Sequence, residues 1–451
     1  MAVSPDSDSP PRRSSFAATA ATTYGTNFVT ALLSLVNVLL VARVLGPAGR
    51  GDVAFLITVA VLTSHIGMLG VHEANANFAG SDPRSRRGLA TNSVLLSLVL
   101  GSTTAAVVAG LVTAFPALGG EPDRMLLWVA LASLPVLILR QYLSLLAQAH
   151  YAFGITNAAW LSGPVTSLVV NGALTAMGRL SVGTAIAAWV GGQALGTLIL
   201  GAHVSRRVGF GVPDVGLAGR MLRFGLKAHV GRFMSLANYR VDQWILGGVA
   251  GSRELGLYSV AVAWAEVLFY LPAVLVMVQR PRIVRATRTA AARLAAKVVR
   301  FALLLAAPVA VALFLGAPVL CATVFGEDFR GSVDDLRVLA LGAFGIAALE
   351  LLGSAFTAQR RPLRAAGPVG VAFAATIALD ILLIPRYGGV GAATATTLAW
   401  TAGGAVAVVV FTMTFPARAT ELIPTGREVR ALLRTLRGAR ERAAVAGAPP
   451  A

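Results

Sequence analysis

Of the 451 residues, 56% are hydrophobic and only 13% charged, about half the charged fraction of a soluble domain. No soluble interior hides that much apolar surface, so the composition excludes a water-soluble globular enzyme and makes the bilayer the solvent. The net charge of +18 does not point to nucleic acid: the Arg residues lie in segments between apolar runs, where positive charge holds loops on the cytoplasmic side. The single cysteine, Cys321, excludes an intramolecular disulfide.

Residues 1–15 are rich in Ser, Pro and Asp and read as a disordered cytoplasmic N-terminus. Arg12 and Arg13 read as an anchor for the first span rather than a twin-arginine signal, because the apolar run behind them is too long for one. A spanning helix needs about 20 apolar residues. Twelve runs satisfy this: 18–42, 53–77, 88–113, 125–148, 155–177, 182–204, 222–249, 255–279, 298–324, 335–358, 365–384 and 388–413. Pro135, Pro164, Pro272, Pro308 and Pro368 fall inside spans and predict kinks. The fold class is therefore all-α and polytopic. No connecting segment is long enough to fold as a separate catalytic domain. In the tail, 414–451, Val429, Leu432, Leu433 and Leu436 recur at helical spacing opposite Arg427, Arg430, Arg434 and Arg437. That pattern suits a helix lying on anionic lipid headgroups, with a partner-binding helix as the alternative.

Charge fixes the orientation. With the N-terminus inside, 27 of the 38 Lys and Arg fall on inside segments and 8 on outside loops; Arg140, Arg232 and Arg240 lie within spans. A threefold bias over so many loops places both termini in the cytoplasm. The Ala-, Gly- and Arg-rich composition is that of a GC-rich bacterial genome, which makes the membrane a bacterial cytoplasmic one.

The chain also repeats itself. Gly163-Pro164-Val165 recurs as Gly367-Pro368-Val369, Gly51 aligns with Gly256, Ala147-Gln148 with Ala358-Gln359, and Val182-Gly183 with Val390-Gly391, all 204–211 positions apart. A duplication divides the chain into an N-lobe, 16–204, a cytoplasmic linker, 205–221, and a C-lobe, 222–413. Six spans per half is an even number, so the halves should be related by an axis along the membrane normal.

Polar groups inside spans are functional candidates by default. On a straight seventh helix, His229, Arg232, Ser235, Tyr239, Arg240, Asp242 and Gln243 occupy one face about 160° wide, which must line protein or a water-filled cavity. The first span carries a stripe of Thr23, Asn27, Thr30, Ser34 and Asn37, readable as interhelical packing or as cavity lining. Glu266 lies at a depth matching Arg240, so an ion pair and a coupling-ion site are both open; Asp242 belongs to the same question. Arg140, Arg232 and His229 lack an acidic residue at matching depth and suit an anion's oxygens. Asp380 is placed to pair with Arg386. No metal-ligand spacing, phosphate-cradling Gly loop or nucleophile elbow occurs.

The stretch Ala42-Arg43-Val44-Leu45-Gly46-Pro47-Ala48-Gly49-Arg50-Gly51 resembles the end of the first helix in Wzx-type polysaccharide flippases. Leu246 through Gly256 with Tyr258, and Leu383 through Ala393, resemble two further corners of that family. The likeness covers about residues 16–415 and points to the multidrug/oligosaccharidyl-lipid/polysaccharide exporter superfamily. It implies two pseudo-symmetric six-helix bundles around a central cavity, transport rather than enzymatic chemistry, and a polyprenyl-diphosphate-linked oligosaccharide as cargo. The substrate contacts expected on this basis are Arg232, Arg140, Arg240, His229, Tyr239, Gln243, Asn27, Ser34 and Asn37. A coupling cation, H+ or Na+, would involve Glu266 or Asp242, with no other cofactor. Membrane lipids, the glycan and polysaccharide assembly proteins are the candidate partners. Cation-coupled multidrug export and a membrane-embedded glycan polymerase or ligase stand as alternatives. The first is disfavoured by a first span without a carboxylate, the second by the absence of a sizeable extracytoplasmic loop.

Overall fold

A computed structural model describes residues 13–430. Within that stretch the side chains of 13–21, Tyr24, Ala117, Ala228, Val230, Arg232, 269–271 and Val278 are outside the described set. The expectations for 1–12 and for the tail helix beyond residue 430 lie outside it as well, whereas Arg13–Ser15, expected to be disordered, are the helical start of the first span. Among the described residues there are fifteen α-helices and no strand.

Every predicted span falls on helix, and five of the twelve are broken within their length. α1 (Arg13–Gly67) carries the first span and most of the second across a break at Gly46, with φ 68 and ψ −178. α2 (Val71–Ser81) completes the second beyond Leu69 and Gly70, both at positive φ. α3 (Arg86–Ala114) is the third span. α4 (Arg124–Ala132) and α5 (Leu134–Gln148) share the fourth across Ser133. α6 (Phe153–Ala176) and α7 (Val182–Arg207) are the fifth and sixth. α8 (Val215–Ala237) and α9 (Val241–Val249) divide the seventh span, and α10 (Gly251–Ala265) and α11 (Val267–Val284) divide the eighth at Glu266. α12 (Arg288–Pro318) ends in a π turn at Val319–Thr323 and starts about ten residues before the predicted ninth span. α13 (Ser332–Leu341) and α14 (Ala343–Ala358) form the tenth, bent by 44°. α15 (Pro362–Thr414) holds the last two spans across Gly388, with φ 52. Helix also runs into the predicted linker from both sides, leaving only 208–214 non-helical.

The prolines do not set these breaks. Pro164, Pro272 and Pro368 sit inside continuous helices, as does Pro308 within α12, and only Pro135 adjoins a break, as the second residue of α5. One break shows a carbonyl with a partner distant in sequence. At the break in the second span the Tyr142 hydroxyl donates to the Met68 carbonyl, 2.8 Å away, amid a core of Val71, Ile138, Leu143 and Leu146. Tyr142→Phe leaves that carbonyl with only the Val71 N–H, 3.1 Å away. It should cost about 0.5–1.5 kcal/mol, seen as a lower unfolding temperature of the detergent-solubilised protein with its helical content unchanged.

The duplication is written into the backbone. Gly46 and Gly251, Gly120 and Gly326, Tyr151 and Arg360, and Gly178 and Gly388 all have positive φ. The pairs are 205, 206, 209 and 210 positions apart, inside the spacing of the sequence repeat. Tyr151 (φ 56) and Arg360 (φ 58) are the telling pair, because a bulky side chain rarely adopts that conformation.

Two compact units emerge from the contacts. The first comprises the described residues up to Ala263 with Pro318–Asp335 and Thr376–Ala395. On the face opposite the N-terminus it gathers chain corners from both halves. A side chain on Gly51 would meet the backbone carbonyl of Ser252, and one on Gly256 would meet that of Pro47. Since 51 pairs with 256 and 47 with 252 at an offset of 205, the contact maps onto itself, as a two-fold axis requires. Around it Ser252 donates its hydroxyl to Asp52 and its N–H to Glu121 at 2.8 Å. Arg43 donates to the Val324 carbonyl at 2.9 Å, Ser332 to that of Leu257 at 2.7 Å, and Gly389 N–H to Glu254 at 3.1 Å. Near the opposite end, Thr91 and Asn92 on α3 bond the backbone of Gly211 and Asp214 in both directions. The connecting segment is thereby tied down where α8 begins.

The second unit comprises Trp264–Ala317, Leu336–Ala375 and the described residues from Thr396 on. Gly404 approaches the backbone of Gly345, so that α14 and α15 cross in direct contact; Phe356, Phe411 and Phe415 cluster with ring centroids 4.9–6.3 Å apart. Past α15, Thr425 and Glu428 cap a short helical start, and Arg300 donates to Glu428 at 2.9 Å. The Thr425 backbone N–H, with Arg300 behind it, holds the Glu428 carboxyl below the usual glutamate range.

Candidate functional site

The break between α8 and α9 changes the expected polar face. Tyr239 and Arg240 stand in the turn, their N–H groups bonded to Leu236 and Ala237. The seven polar groups therefore do not share one continuous face: His229 and Ser235 lie on α8, while Asp242 and Gln243 lie on α9 in a new register. The His229 ring packs on Phe233 one turn on, centroids 6.0 Å apart. The Arg232 side chain is outside the described set, and Glu266 occupies the break at the start of α11.

α9 directs Asp242 into a buried cluster. Asp242 accepts from the Tyr258 hydroxyl at 2.5 Å and from the Gln243 N–H at 2.7 Å; Gln243 accepts from Thr58 at 3.2 Å. Asp380 on α15 interacts electrostatically with Asp242. It is 0% exposed, and neither carboxyl oxygen has a hydrogen-bond partner. One turn before it, Thr376 donates to Asn238 at 2.7 Å. A carboxyl buried without a hydrogen-bond partner inside a span is a functional candidate by default. The expected Asp380–Arg386 pair does not form: Arg386 is exposed, and six residues along a helix put it about 120° round from Asp380.

The first half carries the neutral counterpart. Asn171 on α6 donates to Asn37 on α1 at 2.8 Å. Asn37 lies 205 positions before Asp242 and Asn171 209 before Asp380, so an amide pair stands where the second half has a carboxyl pair. Of the rest of the first-span stripe, Thr23 accepts from Asn157 at 3.3 Å, while Asn27 and Ser34 are exposed. The stripe is thus divided between interhelical bonding and open surface.

Arg140 sits deep in the first half, 6% exposed. Its guanidinium donates to Gln193 and to the Ala159 carbonyl at 2.8 Å, and lies 4.3 Å from the centre of the Trp160 ring. Nε has no partner, and no carboxylate pairs with this charge among the described residues. Gly196 makes the room: a side chain there would meet Ala159, Ser162 and Nε itself.

Sequence reasoning missed Trp160, Gln193, Asn238, Thr376 and Tyr258. Projecting Asn37 through the repeat at 205 positions leads to Asp242; Thr376 and Asp380, one turn apart, carried a signal for the eleventh span.

The model of the family described as "Polysaccharide biosynthesis protein" matches residues 17–287. A search among curated proteins finds no sequence match. Among solved structures, the lipid II flippase MurJ in an inward closed conformation is similar at 15% identity, covering 86% of this chain and 87% of that one, with a TM-score of 0.70. An inward-facing multidrug resistance MATE family transporter of the MOP superfamily follows at 16% identity, 87% and 95% coverage and a TM-score of 0.62. A point mutant of the Vibrio cholerae MATE transporter VcmN matches at 14% identity, 88% and 98% coverage and a TM-score of 0.56. At such identities the likeness is one of fold, and it is the fold expected from the sequence: about twelve transmembrane helices in two pseudo-symmetric bundles. The chain belongs to the polysaccharide biosynthesis protein family.

Proposed function

We propose that the protein is a flippase, not an enzyme, moving a polyprenyl-diphosphate-linked oligosaccharide across the bacterial cytoplasmic membrane by alternating access between the halves 16–204 and 222–413, with both termini cytoplasmic. The observation that carries this reading is Arg140, a membrane-buried guanidinium with no carboxylate partner among the described residues. Removing such a charge from water costs several kcal/mol, and it suits phosphate oxygens by charge and geometry. Arg232 and Arg240 would hold the diphosphate with it. His229, Tyr239, Gln243 and the first-helix groups Asn27, Ser34 and Asn37 would meet sugars, while the prenyl chain stays in lipid. The corners closed around Gly51 and Gly256 fit a state shut on the extracytoplasmic side.

The Asp242–Asp380 pair is the proposed seat of a coupling cation, H+ or Na+, with Asn238 and Thr376 as neutral oxygen donors for the latter; Glu266 is the further candidate. A multidrug exporter would share such a pair, but the buried positive charge of Arg140 opposes a cationic drug. Arg232→Ala should slow glycan export at least about tenfold, the loss of one charge-assisted contact, read from surface polysaccharide made per cell at matched protein level. Export at the normal rate removes Arg232 from the site.

A further inference from the structure

Trp160 is partly exposed on a side of its helix that does not face lipid. At about 100° per residue, the exposed Gly154, Ala158, Val165 and Val169 mark a lipid stripe on α6. Trp160 lies about 150° from its centre, on the same side as Asn157 and Asn171, whose amides bond α1. Deeper on this side Ser167 and Asn171 are buried, yet Trp160 keeps 38% of its surface open. The opening is therefore a recess in the first half, about 10 Å along α6 from its start at the N-terminal face.

The indole is held on two sides. Its N–H donates to the Ser144 hydroxyl at 3.2 Å, and Arg140 covers one ring face. Ser144 also accepts from Gln148 at 3.4 Å. An indole fixed by its edge and one face, with the rest of its surface open beside amide and hydroxyl groups, offers a flat apolar surface rimmed by hydrogen-bonding partners. A pyranose ring has the complementary form: an apolar C–H face with hydroxyls around the edge.

We propose that Trp160 is the stacking platform for a sugar ring of the cargo, next to the positive charge of Arg140. The inference rests on the diphosphate-linked glycan reading and adds that the sugar nearest the diphosphate is recognised by an aromatic surface in the first half. Ser144, buried beneath the ring, would orient the indole, and Gln148 would meet the rim hydroxyls.

The test measures binding of two probes to the purified full-length protein: farnesyl diphosphate, and farnesyl diphosphate bearing one hexopyranose (glucose, galactose or N-acetylglucosamine in turn) on its terminal phosphate. At least one sugar should tighten binding about tenfold, roughly 1.4 kcal/mol. Trp160→Ala should bind the bare and sugar-bearing probes within about twofold of each other, whatever loss both share through Arg140; Trp160→Phe, which keeps a ring against the guanidinium, should retain part of the increment and serves as the control for folding. An increment that survives in Trp160→Ala overturns the proposal, and so does wild-type protein binding bare and sugar-bearing probes alike, which leaves the diphosphate reading intact. Binding of neither probe defeats both.

Discussion

Gly51→Val should reduce export by about a hundredfold or more without preventing membrane insertion. A side chain at this position runs into the Ser252 carbonyl, and backbone on both sides leaves nothing to move aside. The clash is made only while the two corners meet, so its cost, about 3 kcal/mol or more, falls on the state closed at this face. A transporter that cannot reach that state cannot complete its cycle. Gly256→Val should behave in the same way, because its clash with Pro47 is the repeat-related image of the first. Cysteine labelling separates closure from misfolding. In a Cys321→Ala background, Ser252→Cys should resist a membrane-impermeant maleimide and become reactive once Gly51→Val is added. Continued protection with normal export would mean that the corners part freely and that the contact has no part in the cycle.

The second large effect concerns the carboxyl pair. Asp380→Asn and Asp242→Asn should each fold, because the first half already holds an amide pair, Asn37 and Asn171, at the equivalent place. Each should lose cation dependence and drop coupled export by about a hundredfold, or close to 3 kcal/mol. Ligand-linked stability gives a readout free of transport. A cation at a hundredfold its dissociation constant stabilises the folded state by about 2.7 kcal/mol, so the unfolding temperature of the wild-type protein should rise with sodium relative to choline, or with acid if the ion is a proton. The Asp380→Asn curve should stay flat. Equal shifts in both proteins would place the cation elsewhere, Glu266 being the next position to alter.

Hydropathy and charge made the twelve spans legible because the bilayer imposes a length and a side on every segment. The repeat was equally legible at Gly51 and Gly256, where backbone of the other half leaves no room for a side chain, so duplication preserved residue type together with geometry. The helix breaks were not. Ser133, Gly342 and Glu266 carry no local signature that separates them from unbroken helix, and the prolines that do carry one sit mostly in continuous helices. At the break in the second span the partner is distant in sequence, the Tyr142 hydroxyl for Met68. The same limit governed the site. Treating the seventh span as straight put Asp242 on one face with His229, and only the turn at 238–240 sets α9 in the register that buries Asp242 against Tyr258. Arg140 was legible as a charge without an acid at its depth, whereas Gln193 and Trp160, which hold it, come from helices that composition alone does not bring together.

The central claim is that the cargo is a diphosphate-linked glycan picked up from the cytoplasmic leaflet, and the lipid pool of cells lacking the protein tests it most directly. Deletion should cause a polyprenyl-diphosphate oligosaccharide to accumulate in that leaflet, protected from glycosidases added outside intact cells and released by them after lysis; re-expression should clear it and Arg232→Ala should not. A pool unchanged by deletion, or one that accumulates on the outer leaflet, would contradict the account.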